Sequence, residues 1–530
     1  MGLLLGACDR VDGADDEEPW LEPRATVVPP QLQDAFWAVA TLDDPTLPCP
    51  DLVAQSWAAE GTRMFVDATL GLAEQETDPV DLPDPLRGFC LYRWVGATGA
   101  PVLPVDPVIR HVSLDWAVVE RLDNGLQSAY RPALRDVFMA QAGRVSGQAP
   151  QPTYPVMVGV VDSEPERAED EPYIEHASSM VQIIEALACP FKQSCTVHPY
   201  RALALPLLET GAVRHDGGYY GARAHVAMGI VEAVLAWRKS VGEGDVSRLV
   251  INLSLGWVTD GGVGCGQGED EPWCEAGGMS HADELHAWLN TPGPLAYSGQ
   301  VANEAVHAAL LYATCQGALV VAAAGNAKDD SCNEQPVAPA AWSRYASPSD
   351  AECAQLGFSA PAELGTWAVY DTDRPLLQPI SAVDHGDAPI FLSRPGSETR
   401  LVGPGHMATV GDGMEPLTGT SISAAVATAG AALAWSYDPE PSAGAVMDRL
   451  YATATSLGRT SQLPESSWGA GADVRRISLC HAVDPACSGE GECGEEFCDP
   501  EGSVVQALTA LRSEVDQQTG QLTPVMTTPT

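Results

Sequence analysis

Three continuous apolar runs constrain the fold of this chain more than any other feature. They extend from Val156 to Val161, from Leu249 to Leu255 and from Ala318 to Ala324. Short uninterrupted runs of this kind are typical of strands buried on both faces of a parallel sheet. Helical patterns lie between them, at Ala224 to Arg238 and at Ala302 to Cys315. The alternation predicts βαβ units and therefore an α/β fold, in which a mostly parallel sheet lies between two layers of helices as a three-layer αβα arrangement.

The length of 530 residues exceeds one ordinary core and predicts several units. We assign residues 1–30 to an apolar start and an acidic linker, 31–148 to an N-terminal region, 149–460 to the α/β domain, and 461–530 to a Cys-rich segment with a disordered tail. The N-terminal region has two predicted strands and a helix, at 89–95, 108–114 and 133–142. It is interpreted either as an accessory domain or as an inhibitory pro-segment, and the pattern does not decide between them.

The charge of the chain excludes some partners. Asp and Glu number 71 against 28 Lys and Arg, which gives a formal net charge of −43. We therefore expect no nucleic-acid partner and no attraction to anionic membranes, because both would be repelled. No apolar run reaches the length of about 18 residues that a membrane span needs.

The 14 cysteines indicate an oxidising, extracytoplasmic compartment: secreted, periplasmic or at the cell envelope. Their grouping predicts local disulfides, in preference to a metal site, in the C-terminal group. Cys315 lies in an apolar helical pattern and is interpreted as a buried free thiol. The predicted pairs are Cys49–Cys90, Cys189–Cys195, Cys265–Cys274 and Cys332–Cys353, with further pairing within Cys480, Cys487, Cys493 and Cys498.

The N-terminus carries a second hint of location. Cys8 follows Leu5-Gly6-Ala7, which is similar to a bacterial lipoprotein cleavage site. A lipidated Cys8 would anchor the protein to a membrane, and this is the one membrane contact that we predict. A plain apolar N-terminus with no role in export is an equally good interpretation.

Four polar residues stand where strands end or helices start. Asp162 ends the first apolar run, Asn326 ends the third, His176 opens a helical pattern, and Ser421 lies in Gly-Thr-Ser before a run of small residues. Each alone is explained as well by a turn, a helix cap or a surface position. Because the carboxyl ends of parallel strands line one crevice, we expect the four to meet. Together they predict a serine nucleophile, a histidine base, an orienting carboxylate and an oxyanion donor.

On these motifs the sequence resembles the subtilisin-like serine protease family, the subtilases, over roughly residues 154 to 455. The resemblance implies a serine endopeptidase acting on proteins or peptides through an Asp162-His176-Ser421 triad, with Asn326 in the oxyanion hole. It implies no required cofactor, although members often hold structural Ca²⁺, for which the acidic loop 269–271 offers ligands. The residues that the resemblance assigns to substrate binding, partly as partners for an added strand, are Ser254, Leu255, Gly256, Ala324 and Gly325.

Three positions depart from the family pattern. Glu164 and Ala177 stand where glycines are usual, and Ala425 stands where a proline is usual. These departures keep open an alternative function, a weak or inactive relative that binds peptides at the cell surface. A related acid-acting peptidase with Glu in place of His is disfavoured, because that family has Asp in the position of Asn326. Residues 275–291 and 329–365 are interpreted as loop insertions that the family lacks.

Overall fold

The structure is a computed structural model. It describes residues 37–59, 63–65, 82–96, 103, 106–115, 117–119, 131–146, 149–163, 176–189, 195–203, 205–206, 208–209, 212–213, 219–243, 248–257, 300–326, 336–358, 374–394, 397–411, 414, 416–438, 442–461, 472–484, 498 and 507. The predictions for Cys8, for the acidic loop 269–271 and for the insertion 275–291 lie outside these residues.

The N-terminal region forms a four-stranded antiparallel sheet followed by a helix. The strand order is β2-β3-β1-β4. The predicted strands at 89–95 and 108–114 and the helix at 133–142 are confirmed within two residues at each end. The elements are β1 (Trp37–Leu42), β2 (Trp57–Ala59), α1 (Asp84–Arg87), β3 (Phe89–Trp94), β4 (Ile109–Asp115), β5 (Ala117–Val119) and α2 (Arg131–Ala142).

The α/β domain is built on an eight-stranded sheet of order β16-β17-β15-β14-β13-β12-β6-β7. All neighbours in it are parallel except β16 and β17. The elements are β6 (Val156–Ser163), α3 (His176–Ala188), β7 (Cys195–Leu203), β8 (Leu205–Pro206), β9 (Leu208–Glu209), β10 (Ala212–Val213), β11 (Tyr219–Ala222), α4 (Arg223–Glu243), β12 (Arg248–Leu253), α5 (Gln300–Cys315), β13 (Leu319–Ala323), α6 (Asp350–Gln355), β14 (Gln378–Val383), β15 (Leu401–Pro404), α7 (Thr420–Tyr437), α8 (Ala443–Thr453), β16 (Thr455–Thr460), β17 (Asp473–Arg476) and α9 (Leu479–Val483).

Helices cover both faces of this sheet, so the predicted three-layer αβα fold is confirmed. Side chains of β6 alternate between the faces because successive residues of a strand point in opposite directions. Val158 and Val160 pack in the core that contains α3 and α7, whereas Met157 and Val161 pack in the core that contains α4 and α5. Both faces being apolar explains why the run in the sequence is continuous.

Helix α7 is enclosed on all sides. Every residue from Thr420 to Ser436 is buried, and most of them are alanine, glycine, serine or threonine. Small side chains let the helix lie close to the strands beneath it and to α3, α8 and α9 around it. The first turn of α7, which carries Ser421, is therefore held rigidly against the sheet.

The N-terminal sheet is packed onto the α/β domain as a further layer. Trp37 and Val39 of β1 join the core that contains α4 and α5. Ala38, Ala40 and Leu42, which alternate with them, face a separate small core with Trp57 and Tyr92 at its centre. The sheet is therefore apolar on both faces, and one of these faces is buried against α4 and α5.

Four disulfides lie among the described residues, and they correct one predicted pairing and the prediction that Cys315 is a free thiol. Cys49–Cys90 and Cys189–Cys195 are confirmed. Cys315 is not a free thiol: it is bonded to Cys353, which was predicted to pair with Cys332. Cys315 is buried in its helix but still has a partner, because α6 places Cys353 beside it. The two α-carbons are 5.6 Å apart, a normal distance for a disulfide.

The C-terminal cysteines agree with the prediction of local disulfides. Cys480 is bonded to Cys498, and Cys487 and Cys493 lie outside the described residues. This number of disulfides indicates an oxidising compartment. In the parts of the chain that the structure describes, no helix is both long enough and apolar enough to span a membrane.

Candidate active site

The site begins where β6 ends and α3 starts. Asp162 is the penultimate residue of the strand, and His176 is the first residue of the helix. The imidazole Nδ1 of His176 lies 2.8 Å from Asp162 Oδ1 and 3.0 Å from Asp162 Oδ2. Both side chains are fully buried. A buried carboxylate facing Nδ1 in this way fixes the plane of the ring and favours the tautomer with the proton on Nδ1.

Ser163 holds this pair in place, and the sequence analysis missed it. Its backbone N–H donates to Asp162 Oδ1 at 2.7 Å, and its hydroxyl lies 3.2 Å from the same oxygen. The Ser163 hydroxyl also accepts from the N–H of Ala177 at 3.1 Å. The carboxylate and the first turn of α3 are thus joined through one side chain. An Asp-Ser pair at a strand end is a turn signal in the sequence, and it could have drawn attention to this role.

Ser421 lies in the first turn of α7, beside the end of β12. Its hydroxyl donates to the backbone carbonyl of Ser254 at 3.0 Å. The hydroxyl of Ser254 lies 3.1 Å from the carbonyl of Ser421 and 2.9 Å from Asn252 Oδ1. The Asn252 amide in turn donates to the hydroxyl of Thr428, which lies about two turns after Ser421 on α7. This network joins the start of the helix to the strand end and sets the position of the serine.

Asn326 follows β13 and is oriented by the residue before Ser421. Its Oδ1 accepts from the N–H of Thr420 at 2.9 Å and from the Thr420 hydroxyl at 3.0 Å. That hydroxyl also accepts from the N–H of Gly325 at 3.1 Å. Because Oδ1 is occupied in this way, Nδ2 is the end of the side chain that can donate to a bound group.

The structure therefore brings the four predicted residues to one edge of the sheet. Asp162 and Asn326 lie at the carboxyl ends of β6 and β13, and these strands flank β12. His176 and Ser421 open α3 and α7, which pack against each other on one face. The arrangement can supply a nucleophile, a base, an orienting carboxylate and a donor for negative charge on oxygen.

The residues predicted to bind substrate are found near this edge, but some of their backbone groups are occupied. The carbonyl of Ser254 accepts from Ser421. The N–H of Ala324 donates to Ile380, and its carbonyl accepts from Val337. Gly256 and Gly325 both contact the Val337 side chain, which lies in the segment 329–365 that was interpreted as a loop insertion. Leu255 is buried.

The departures from the family pattern have different structural settings. Ala425 is buried in the middle of the regular helix α7, and Ala177 is buried with its N–H bonded to Ser163. Glu164 lies outside the described residues. Among the described residues one group has metal-ligating atoms in close proximity, namely Cys480, His481 and Cys498. The disulfide between its two cysteines uses the sulfur atoms that a metal would need.

Comparison with known proteins gives one family match. The model of the subtilase family matches residues 212–471, about half of the chain. No curated protein matches the sequence. This stretch includes Asn326 and Ser421 but begins after Asp162 and His176, which are assigned to the same site by their position in the fold.

The solved structures similar to the chain include three with TM-scores of 0.34 to 0.35. A mutant of the protease domain of PatA is 15% identical, and the alignment covers 62% of this chain and 93% of that one. A cold adapted subtilisin-like serine proteinase is 14% identical, with 64% and 97% covered. MycP1 from the ESX-1 type VII secretion system is 15% identical, with 71% and 91% covered.

The family match confirms the resemblance seen in the sequence: this chain carries a subtilase-family domain. Subtilases are serine-protease hydrolases, so the class of substrate that the family indicates is protein or peptide.

Proposed function

We propose that this protein is a serine endopeptidase that cleaves peptide bonds through an acyl-enzyme on Ser421. The observation that carries the proposal is the buried contact between His176 and Asp162, 2.8 Å long, at the same edge of the sheet as Ser421. A buried histidine held by a carboxylate through Nδ1 is suited to take a proton on its other nitrogen. The direct test is whether a fluorophosphonate, which reacts with activated serines, labels Ser421.

The reaction has two proposed steps. Ser421 Oγ, turned away from the Ser254 carbonyl, bonds to the substrate carbonyl carbon while His176 takes the hydroxyl proton. The C–N bond then breaks, and His176 gives the proton to the departing amine. In the second step a water molecule gives a proton to His176 and attacks the acyl carbon. The bond from this carbon to Ser421 Oγ then breaks, and His176 returns the proton to Oγ. Asp162 holds the imidazole and stabilises its protonated form throughout.

The negative oxygen that forms in each step needs donors placed in advance. We assign this role to Asn326 Nδ2 and the N–H of Ser421, which lies in the first turn of α7. The positive end of the helix dipole adds to the stabilisation. No metal ion or other cofactor takes part in this proposal, and structural Ca²⁺ outside the site is compatible with it.

The Asn326→Asp substitution is expected to reduce kcat by about 10²- to 10³-fold or more, with a smaller change in KM. Aspartate keeps the oxygen that Thr420 contacts, but it replaces the donating amide by a charged oxygen. Steady-state hydrolysis of a peptide anilide measures the effect.

The matched control for Asn326 is Thr420→Val. This variant removes the hydroxyl that binds Asn326 Oδ1 but leaves the amide donor, so its loss should be smaller than that of Asn326→Asp. Equal kcat for wild type and Asn326→Asp would remove Asn326 from the mechanism.

We also propose that residues 31–148 act as an inhibitory pro-segment and not as an independent accessory domain. Asp115, at the end of β4, accepts from the N–H groups of Arg223 and Ala224, which open α4, at 3.2 and 3.0 Å. Ser113 accepts from the N–H of Val301, at the start of α5. Both helices thus take N-terminal caps from a segment more than 100 residues away in sequence.

These caps connect the N-terminal sheet to the edge that carries the site. Asn303, on the first turn of α5, accepts from the guanidinium of Arg223 at 3.1 Å and from the indole N–H of Trp257 at 3.0 Å. Trp257 follows Gly256 directly. In addition, β5 pairs antiparallel with β11 as an added strand, which is a general mode of peptide recognition.

The Asp115→Ala substitution removes the N-terminal cap of α4 and is expected to lower the free energy of unfolding by about 1–2 kcal/mol. Burial raises the pKa of Asp115, and the charge of the nearby Arg223 opposes this rise. Burying the charged carboxylate therefore costs free energy, and its removal offsets part of the lost stability. Thermal unfolding in a Ser421→Ala background, which prevents self-digestion, measures the change. Asp136→Ala, at an exposed position on α2, is the control and should have almost no effect.

The same substitution in the active protein separates the two interpretations of residues 31–148. An inhibitory pro-segment that opens more often should give faster fluorophosphonate labelling of Ser421 and faster hydrolysis. An accessory domain should leave both rates as they are in the wild type and in Asp136→Ala.

A further inference from the structure

The slot beside Ser421 is bounded by two backbone segments that carry no side chains at the contact. One wall contains Gly256, two residues after Ser254, whose carbonyl accepts from the Ser421 hydroxyl. The other wall contains Gly325, next to Asn326 and bonded to Thr420. A substrate carbonyl held between Ser421 and Asn326 has its own α-carbon one bond away. In a bound peptide, the side chain on that α-carbon would lie next to this slot.

The slot is filled by Val337. A β-carbon built on Gly256 would lie 2.3 Å from Val337 Cγ2. A β-carbon built on Gly325 would lie 2.6 Å from Cγ2 and 2.8 Å from Cγ1 of the same residue. The valine therefore sits against both glycines, and it is only 8% exposed. Gly325 also has a φ of 98°, a conformation that side-chain-bearing residues rarely adopt.

Val337 is fixed in this position by its backbone. Its N–H donates to the carbonyl of Ala324 at 3.0 Å. The next residue, Ala338, exchanges two hydrogen bonds of 3.0 Å with Trp257. The segment is thereby bonded to both walls of the slot, so Val337 cannot leave it without breaking backbone hydrogen bonds. A larger side chain would have to displace a buried, tethered valine.

We propose that Val337 restricts the substrate residue whose carbonyl is attacked to glycine or alanine. The proposal rests on the proposed peptidase function of Ser421, and it adds the class of peptide bond that is cleaved. Its physical basis is steric: the two methyl groups of Val337 occupy the volume that a leucine or phenylalanine side chain would need. Rejection of a larger group by a closed pocket can reach several orders of magnitude, whereas an absent contact costs far less.

The test uses peptide anilides that differ only in the residue before the scissile bond: Gly, Ala, Val, Leu or Phe. Active sites are first counted with a fluorophosphonate, so that kcat/KM refers to reactive protein. The wild type is expected to cleave the Ala peptide at least 100-fold more efficiently than the Leu and Phe peptides. Comparable cleavage of Phe or Leu, within about 10-fold of Ala, would overturn the proposal.

Two substitutions move the preference in opposite directions. Val337→Ala removes both methyl groups and is expected to raise the Leu-to-Ala ratio of kcat/KM by at least 10-fold. Val337→Ile adds one methylene and is expected to shift the preference from Ala to Gly. Val474→Ala removes a buried valine from β17, outside the slot, and should leave the ratios unchanged. If Val337→Ala does not fold, the wild-type protein with the five peptides and the Val337→Ile variant still test the proposal.

Failure of the peptidase function gives a different result. In that case neither labelling nor hydrolysis is seen with any peptide, and the same peptides are titrated as fluorescent ligands against the protein. Tighter binding of the Gly and Ala peptides would support the closed slot in a binding protein, whereas equal binding of all five would overturn it. Labelling together with cleavage after large residues would overturn the slot but keep the peptidase.

Discussion

A fluorophosphonate probe is expected to label the wild-type protein at Ser421, and the label should be lost in Ser421→Ala and in His176→Ala. The first substitution removes the attacking oxygen, and the second removes the base that activates it. Because these residues act as a unit, the loss of either is expected to lower turnover by about 10⁶-fold. Gel fluorescence measures the labelling, and mass spectrometry of the labelled peptide identifies the residue.

The control for this experiment lies on the same helix. Ser436 is a buried serine near the other end of α7, and its hydroxyl donates to the carbonyl of Leu433. Ser436→Ala tests whether loss of a buried serine in α7 is enough to disturb the site, and it should leave labelling intact. Labelling that persists in Ser421→Ala would show that another residue is the nucleophile. Labelling that persists in His176→Ala would show that Ser421 is not activated by this histidine.

The alternative of a peptide-binding protein predicts a different pattern. A folded wild type that takes no label, even when Asp115→Ala loosens the N-terminal layer, would indicate an inactive site. Affinity for peptides should then be the same in the wild type and in Ser421→Ala. A peptidase also retains peptide binding in Ser421→Ala, but its wild type hydrolyses the peptide and the variant does not.

The Asp162→Asn substitution is expected to reduce kcat by about 10⁴-fold, the second largest effect. Both carboxylate oxygens lie within 3.0 Å of His176 Nδ1. Ser163 donates to Oδ1, so the asparagine oxygen should take that position, and the amide nitrogen should replace Oδ2, which lies 3.0 Å from His176 Nδ1. An amide that donates to Nδ1 stabilises the tautomer with the proton on the other nitrogen, where it blocks acceptance of the serine proton. Burst and steady-state kinetics with an activated peptide ester measure the loss.

A matched control is Asp484→Asn. Asp484 is also a buried aspartate, but it follows α9, where its backbone carbonyl accepts from Arg449. Its replacement should leave kcat close to the wild-type value. If Asp162→Asn kept kcat within about 10-fold of the wild type, the carboxylate would have no role in orienting His176, and the proposed triad would reduce to a pair.

The central part of the fold was predictable because its signals are local. Strands β6, β12 and β13 are buried on both faces, so their sequences are mostly apolar, and the helices between them have one-sided patterns. The same reasoning led to Asp162, His176, Asn326 and Ser421 as candidate site residues, since the carboxyl ends of parallel strands converge whatever the loops between them do. Their separations in the sequence, such as the 14 residues between Asp162 and His176, do not by themselves fix distances.

The partners of individual side chains were decided by the tertiary structure. Cys315 was interpreted as a free thiol because its own helix is apolar, and nothing near it in the sequence indicates that α6 brings Cys353 to it. The caps that Ser113 and Asp115 give to α5 and α4 join segments 188 and 108 residues apart. Such contacts depend on how separate elements pack, and the hydrophobic pattern of one element contains no information about them.

Val337 is a second residue whose contacts depend on the tertiary structure and not on its local sequence, and it lies at the site itself. Its sequence context, between Pro336 and Ala338, reads as part of a loop, and no local pattern relates it to Gly256 or Gly325. Only the packing of this segment between two strand ends brings its methyl groups against both glycines. The kind of sheet and the chemical groups at its edge were therefore predictable from the sequence, because burial and strand direction are encoded locally. The shape of the space around those groups was decided by tertiary contacts, because it depends on which distant segments the fold brings together.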